Sequence, residues 1–197
     1  MNLALFDFDG TITTREMFVD FIRFAVSPGR WALGTVVLAP LVVGYRLGIV
    51  PANTLRATVV RFAFTGVSSA DAQRAGKRFS DTVLPAVVRP AALERIQWHQ
   101  AQGDTVVVVS GALDIYLRYW CDQHGIGLIC SQLEIEGGTL TGRYQGRQCV
   151  SAEKPRRVLE QFNLREFPVV YAYGDTREDL DLLSIANRKV YGWQEQA

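Results

Sequence analysis

Two aspartates at alternate positions, Asp7 and Asp9, close the apolar run Leu3–Phe6 and are followed by Gly10. Alternate side chains of an extended strand share a face, so both carboxylates would leave the strand end close together. Gly10 would let the chain turn sharply behind them. Carboxylates crowded at the end of an apolar strand repel each other and resist desolvation, and a divalent cation relieves both. Hard oxygen ligands suit Mg2+. The plainer alternative is a strand running into an Asp-Gly turn. Three other polar clusters have the same relation to an element end. They are Ser110-Gly111 after Thr105–Val109, Lys154 ahead of a helix, and Asp175 with Asp179 after Val169–Tyr173. Taken singly, each has an ordinary reading: a turn, a solvated lysine, a helix cap. Ligands of doubly wound sheets gather outside the carboxyl ends of the strands, and that shared location joins the clusters.

The elements that must position these residues read as alternating α/β. Leu3–Phe6 is the first strand. Apolar residues recur at helical spacing over Glu16–Val26, which stops at Ser27-Pro28-Gly29. Ser69 suits the N-cap of a helix over Ala70 to about Phe79. Pro90 suits a first helical position, and Gly103 would end the helix Ala91–Gln102. Thr105–Val109 is β-branched and apolar, as a strand covered on both faces should be. A helix follows over Leu113–His124, then a short strand Gly127–Cys130. Leu133–Gln145 alternates around Gly137-Gly138, a hairpin pattern. A helix over Glu153–Phe162, the strand Val169–Tyr173, a helix over Glu178–Ile185 and a short strand Lys189–Tyr191 complete the series. Strands separated by helices imply right-handed crossovers and a mainly parallel sheet. The expected architecture is therefore α/β, a Rossmann-like core of residues 1–14 and 86–197. A helical insertion of residues 15–85 follows the first strand.

The 197 residues carry 21 basic and 20 acidic side chains, so no field favours nucleic acid. Cys121, Cys130 and Cys149 form no CxxC pair, which points to a reducing compartment. No basic segment followed by an apolar one and a cleavage site opens the chain, and a cytoplasmic location is expected. The run Trp31–Val50 is nearly uncharged, interrupted by Pro40 and Arg46. It is short of the roughly 20 apolar residues that span a bilayer. Two readings fit it: a pair of helices buried in a small bundle, or a patch that lies on a bilayer's cytoplasmic face or receives a lipid-like substrate. His99 and His124 sit near predicted helix ends, where solvated imidazoles are expected.

The ordered set Asp7-Phe8-Asp9-Gly10-Thr11, Val108-Val109-Ser110-Gly111, Lys154 before a helix, and Gly174-Asp175-Thr176-Arg177-Glu178-Asp179 resembles the haloacid dehalogenase-like superfamily. Within it, the chain is most similar to the phosphoserine-phosphatase-like branch, whose helical cap follows the first motif. The resemblance implies roles. Asp7 would be the nucleophile of an aspartyl-phosphate mechanism, and Asp9 the acid and then the base. Asp7, the main-chain carbonyl of Asp9 and Asp175 would bind Mg2+. Thr11, Ser110, Gly111 and Lys154 would bind the phosphoryl group, with Thr11 also orienting Asp9. Asp179 would support the metal shell or the lysine. Glu16 aligns with the cap glutamate that reads a substrate ammonium group, and is equally readable as a first-turn helix acid.

The resemblance implies a Mg2+-dependent phosphomonoester phosphatase. Thr176-Arg177-Glu178 stands where phosphoserine phosphatases carry small residues and an asparagine, and Ala112 where a further glycine is usual. The apolar insertion is similar instead to relatives acting on phosphatidylglycerophosphate. The expected partner is thus a phosphorylated small molecule or lipid headgroup, with peripheral membrane contact through the insertion. A phosphate- or partner-binding module on the same scaffold is the alternative from another class. Attack of an alcohol on the aspartyl-phosphate would make the chain a phosphotransferase.

Overall fold

The computed structural model describes residues 1–196. Its centre is a six-stranded sheet of order β3-β2-β1-β6-β7-β8. The strands are β1 (Leu3–Phe6), β2 (Thr105–Leu113), β3 (Gly127–Ser131), β6 (Val170–Gly174), β7 (Arg188–Tyr191) and β8 (Gln194–Gln196). All neighbours pair in parallel except β7 and β8. β1 lies in the middle, completely buried, as its LALF sequence requires. Its register sets Phe6 beside Val108 on one side and Tyr173 on the other. The chain segments that begin with Asp7, Val109 and Gly174 therefore leave one edge of the sheet side by side. A separate hairpin, β4 (Leu133–Glu136) and β5 (Thr139–Tyr144), turns through Gly137 and Gly138, both at positive φ.

Five helices separate β1 from the crossover helix α6 (Pro90–Ala101): α1 (Phe18–Ala25), α2 (Pro28–Val37), α3 (Ala39–Arg46), α4 (Ala52–Phe64) and α5 (Ser69–Thr82). The remaining helices are α7 (Asp114–His124), α8 (Glu153–Gln161) and the short α9 (Leu180–Ser184). Phe21, Phe64 and Phe79 of the insertion share one core with Phe8 and Ile12 of the first loop and Tyr116 and Trp120 of α7. The opposite face of the sheet is covered by α8 and α9 through Val158, Leu182 and Leu183.

Several elements differ from expectation. The first helix starts at Phe18 because the Met17 N–H is given to the Asp9 carboxylate, and Glu16 lies before it in non-helical chain. Ser68, one residue earlier than expected, caps α5. β2 runs on to Leu113 with a register shift after Ser110, so Gly111 and Ala112 bulge from the ladder. The segment after Asp175 begins as a 3-10 turn, Arg177–Asp179, before α9. β8 was not anticipated, because its polar QEQ carries no strand pattern. The Trp31–Val50 run does form two helices, broken at Leu38 where Pro40 opens α3, but they are not buried. α2 buries only Gly34, and α3 buries nothing. His99 is fully buried, not solvated: Nδ1 lies 2.8 Å from Asp104 Oδ2, and Nε2 lies 2.9 Å from the Tyr173 hydroxyl. His124 is tied to the Trp120 carbonyl at 2.8 Å and stacks on that indole.

Candidate active site

Asp7 is buried, and its main-chain N–H is held by the Tyr173 carbonyl, which continues the β1–β6 ladder. Its Oδ1 accepts from Lys154 Nζ at 2.5 Å, and the same ammonium reaches Asp179 Oδ1 at 2.5 Å. Lys154 is 2% exposed, so it is no surface lysine. Ser151, at φ 47°, turns the chain through the left-handed region just before α8 and aims Lys154 from the helix's first turn back at the sheet edge. Burial opposes charge on Lys154, but Asp7 and Asp179 outweigh it and hold the ammonium above its ordinary value.

Asp179 is saturated by protein. While Oδ1 takes Lys154, Oδ2 accepts from the N–H groups of Asp175 and Thr176 and from the Thr176 hydroxyl. Burial raises its carboxyl, but Lys154 and these bonds prevail and hold it below the usual range. Its role in this geometry is to fix the lysine and the loop. Asp175 accepts from the Thr11 hydroxyl at 2.9 Å. Thr11, expected to orient Asp9, instead holds Asp175. Asp9 is half-buried, accepts from Met17 N–H at 3.0 Å, and still feels the charges of Asp7 and Lys154.

Carboxylate oxygens from Asp7, Asp175 and Asp179 lie within 4.8 Å of one another. Against three acids stands one directly bonded cation, Lys154, with Arg89 acting on Asp175 from farther off. The imbalance shows in Asp7, which burial pushes up to about 7, with Lys154 opposing and Asp179 and Asp175 adding repulsion. Burial and Asp7 likewise push Asp9 well above the carboxylate range, and burial raises Asp175. The backbone is cut to fit this cluster. Gly10 stands at φ 87°, and a Cβ there would run into the Asp175 carboxylate. Clustered hard oxygens short of positive charge fit a Mg2+-sized cation. Asp7 and Asp175 are the carboxylates with an oxygen to spare, since neither Oδ2 accepts a hydrogen bond among the described residues.

Ser110 sits in β2 where the ladder shifts register, 1% exposed, and its Oγ accepts from Ala112 N–H at 3.1 Å. The hydroxyl proton stays available, and the bulged Gly111 lies beside it. Glu16 is exposed, with its charge near enough to Asp9 and Arg56 to act on both.

Three residues at the site carry no sequence signal. Arg56 of α4 has Nη1 3.4 Å from where a Cβ on Gly111 would sit, and pairs with Glu178 of the loop after β6. Arg89 donates to the carbonyls of Gly10 at 3.3 Å and Thr13 at 3.1 Å, and Trp193 donates to the Thr11 carbonyl at 3.1 Å. None belongs to a motif, and each reaches its partner across 76 or more residues.

A Rossmann-like sheet with a carboxylate–lysine cluster at its carboxyl edge and helices inserted after the first strand is the arrangement of a hydrolase core. The chain belongs to the haloacid dehalogenase-like hydrolases, whose family model matches residues 4–184. It is 30% identical over 195 residues to Protein CicA of Caulobacter vibrioides, covering 96% of this chain and 85% of that protein. Among solved structures it is similar to a protein of unknown function from Bordetella pertussis Tohama I, with TM-score 0.83 and 22% identity over 96% of this chain and 89% of that one. It is also similar to a substrate-bound phosphoserine phosphatase, with TM-score 0.69 and 19% identity over 96% and 85% of the two chains. The fold is that of the phosphoserine-phosphatase-like branch.

Proposed function

We propose that the chain is a Mg2+-dependent phosphatase that cleaves phosphomonoesters through a phosphoryl group carried on Asp7. One observation carries this reading: a buried carboxylate whose Oδ1 is fixed 2.5 Å from a buried lysine while its other oxygen takes no hydrogen bond among the described residues. Spontaneous hydrolysis of phosphate monoesters is among the slowest reactions known, and enzymes accelerate it by up to ~10²¹. Splitting the displacement in two divides that barrier.

Asp7 and Asp175, with the main-chain carbonyl of Asp9, would hold the ion. Bound Mg2+ supplies positive charge against the phosphoryl oxygens. In the first step Asp7 Oδ2 attacks phosphorus. The bond to the leaving alcohol breaks, and Asp9 gives that oxygen its proton. In the second step Asp9 takes a proton from water, the hydroxide attacks phosphorus, and phosphate leaves as the Asp7 carboxylate is restored. The Ser110 hydroxyl, held by the Ala112 N–H, and the neighbouring Gly111 N–H bind phosphoryl oxygens. Lys154 neutralises charge accumulating between nucleophile and phosphoryl group, and Asp179 keeps it there.

The substrate class we favour is a lipid-linked phosphomonoester, ahead of phosphoserine. Arg56, the cation of the insertion that overlooks Gly111, is already paired with Glu178, so an amino-acid carboxylate would find it engaged. The exposed apolar face of α2 and α3 supports the same preference. Release of phosphate from p-nitrophenyl phosphate tests the chemistry. It should require Mg2+ and vanish on chelation. No release at any Mg2+ concentration would leave a binding module. A panel of phosphatidylglycerophosphate, glycerol phosphate and phosphoserine tests the substrate class, and preference for phosphoserine would overturn it.

A further inference from the structure

Seven of the thirteen exposed large apolar side chains among the described residues fall within residues 33–49. They cover the outer face of α2 and α3, which follow one another through Leu38 in helical conformation: Leu33, Val36 and Val37 on one helix, Val43 and Tyr45 on the other, Leu47 and Ile49 just beyond. Val36 and Ile49 are each 74% exposed. Scattered exposed apolar groups are ordinary, but a concentration of this kind marks a surface that is covered in use. The inner side is firmly placed. Gly34 lets α2 settle on Phe62 of α4, and Arg30 ties the same region down through the carbonyls of Ala63 and Thr65.

Charge identifies the cover. Between Asp20 and Asp71 the chain has no acidic residue, and those fifty positions hold five arginines and no lysine. Arg30 and Arg56 are engaged within the fold. Arg23, Arg46 and Arg61 are exposed and form no ion pair among the described residues. An apolar face that carries Arg46 and no acidic residue complements a surface of opposite charge above an apolar interior, which is an anionic bilayer. A second copy of the chain would set the same arginines against each other across a two-fold axis.

We propose that the kinked helical segment α2–α3 docks on the interface of an anionic membrane, lying in its plane. No helix among the described residues is long and apolar enough to cross a membrane. At about 1.5 Å per residue, α2 and α3, bent apart at Leu38, each reach at most about half of the roughly 30 Å hydrocarbon core. The apolar side chains enter the headgroup boundary, Tyr45 and Arg46 stay at its level, and the body of the protein remains in water. α4 joins this surface to the catalytic edge, since it packs on α2 through Phe62 and carries Arg56 over Gly111. A phosphorylated headgroup in the docked membrane is thus one helix from Ser110. Docking stands on its own observations and does not depend on the chemistry at Asp7.

Flotation of the full chain with phosphatidylcholine vesicles, with and without phosphatidylglycerol, tests it. The wild type should float with the anionic vesicles alone, and less so as salt is raised. Val36→Asp with Leu47→Asp should cut the bound fraction by about tenfold or more, and Arg46→Glu by roughly fivefold to tenfold. These positions pack against nothing essential, so circular dichroism melts of the variants should match the wild type. Asp7→Asn should float like the wild type, which separates failure of docking from failure of the catalytic reading. Three outcomes overturn the proposal: no flotation, equal flotation with both kinds of vesicle, or a wild-type dimer in sedimentation velocity that Leu47→Asp converts to monomer.

Discussion

Lys154 is the residue on which the site's electrostatics turn. Removing it leaves Asp7 and Asp179 facing each other, buried, with no cation between them. Breaking a buried pair by deleting one partner typically costs about 3–5 kcal/mol. Lys154→Ala should therefore lower the melting temperature markedly as well as abolish phosphatase activity. A fully stable Lys154→Ala protein would show the pairs to be energetically idle. Gly10 offers a subtler test. Gly10→Ala places a methyl group at φ 87° against the Asp175 carboxylate. The unfavourable φ alone costs about 1 kcal/mol, and displacing Asp175 should raise the Mg2+ concentration needed for half-maximal activity. An unchanged Mg2+ titration would remove Asp175 from the metal shell. The meeting of Asp7, Lys154, Asp175 and Asp179 was legible because motifs at strand ends and helix starts bring their positions with them. Arg56, Arg89 and Trp193 were not, because their partners are set by the packing of distant elements, which leaves no local pattern.

At the scale of elements, α8 must hold Lys154 in place, and its first turn is anchored by Glu153. Arg156 and Arg157 both bond that carboxylate and hold it down at about 2. Because the folded value lies below the ordinary 4.5, the stabilisation is complete above about pH 4.5 and is lost as pH falls toward 2. Discounted for solvent at the half-exposed Arg156, about 1 kcal/mol or less is at stake. Glu153→Gln should therefore be less stable than wild type by that amount in denaturant melts at neutral pH, and the gap should close near pH 2. A gap independent of pH would assign the loss to packing instead. Most elements were readable here because caps and periodicity are local. Pro90 and Gly103 bound α6, and Gly137-Gly138 turns the hairpin. The Trp31–Val50 helices were readable as helices but not as exposed ones. Hydrophobicity reports what a side chain avoids, whereas exposure depends on whether anything is available to cover it.

The whole molecule is less divided than its sequence suggests. An insertion of residues 15–85 after the first strand reads as a separate cap. Yet Phe21, Phe64 and Phe79 bury themselves with Phe8, Tyr116 and Trp120 in one continuous core. The aromatic contacts that join them cross from insertion to sheet layer, so neither part keeps its core when the other unfolds. Calorimetry should show a single transition with matching calorimetric and van't Hoff enthalpies. Two resolved transitions, the insertion melting first, would contradict a shared core. The central claim is tested most directly by quenching the enzyme in acid during turnover of a radiolabelled phosphomonoester and mapping the label. The account predicts a hydroxylamine-labile phosphoryl group on the peptide containing Asp7, absent from a folded and inactive Asp7→Asn protein. Label on any other residue, or undiminished turnover by Asp7→Asn, would contradict it.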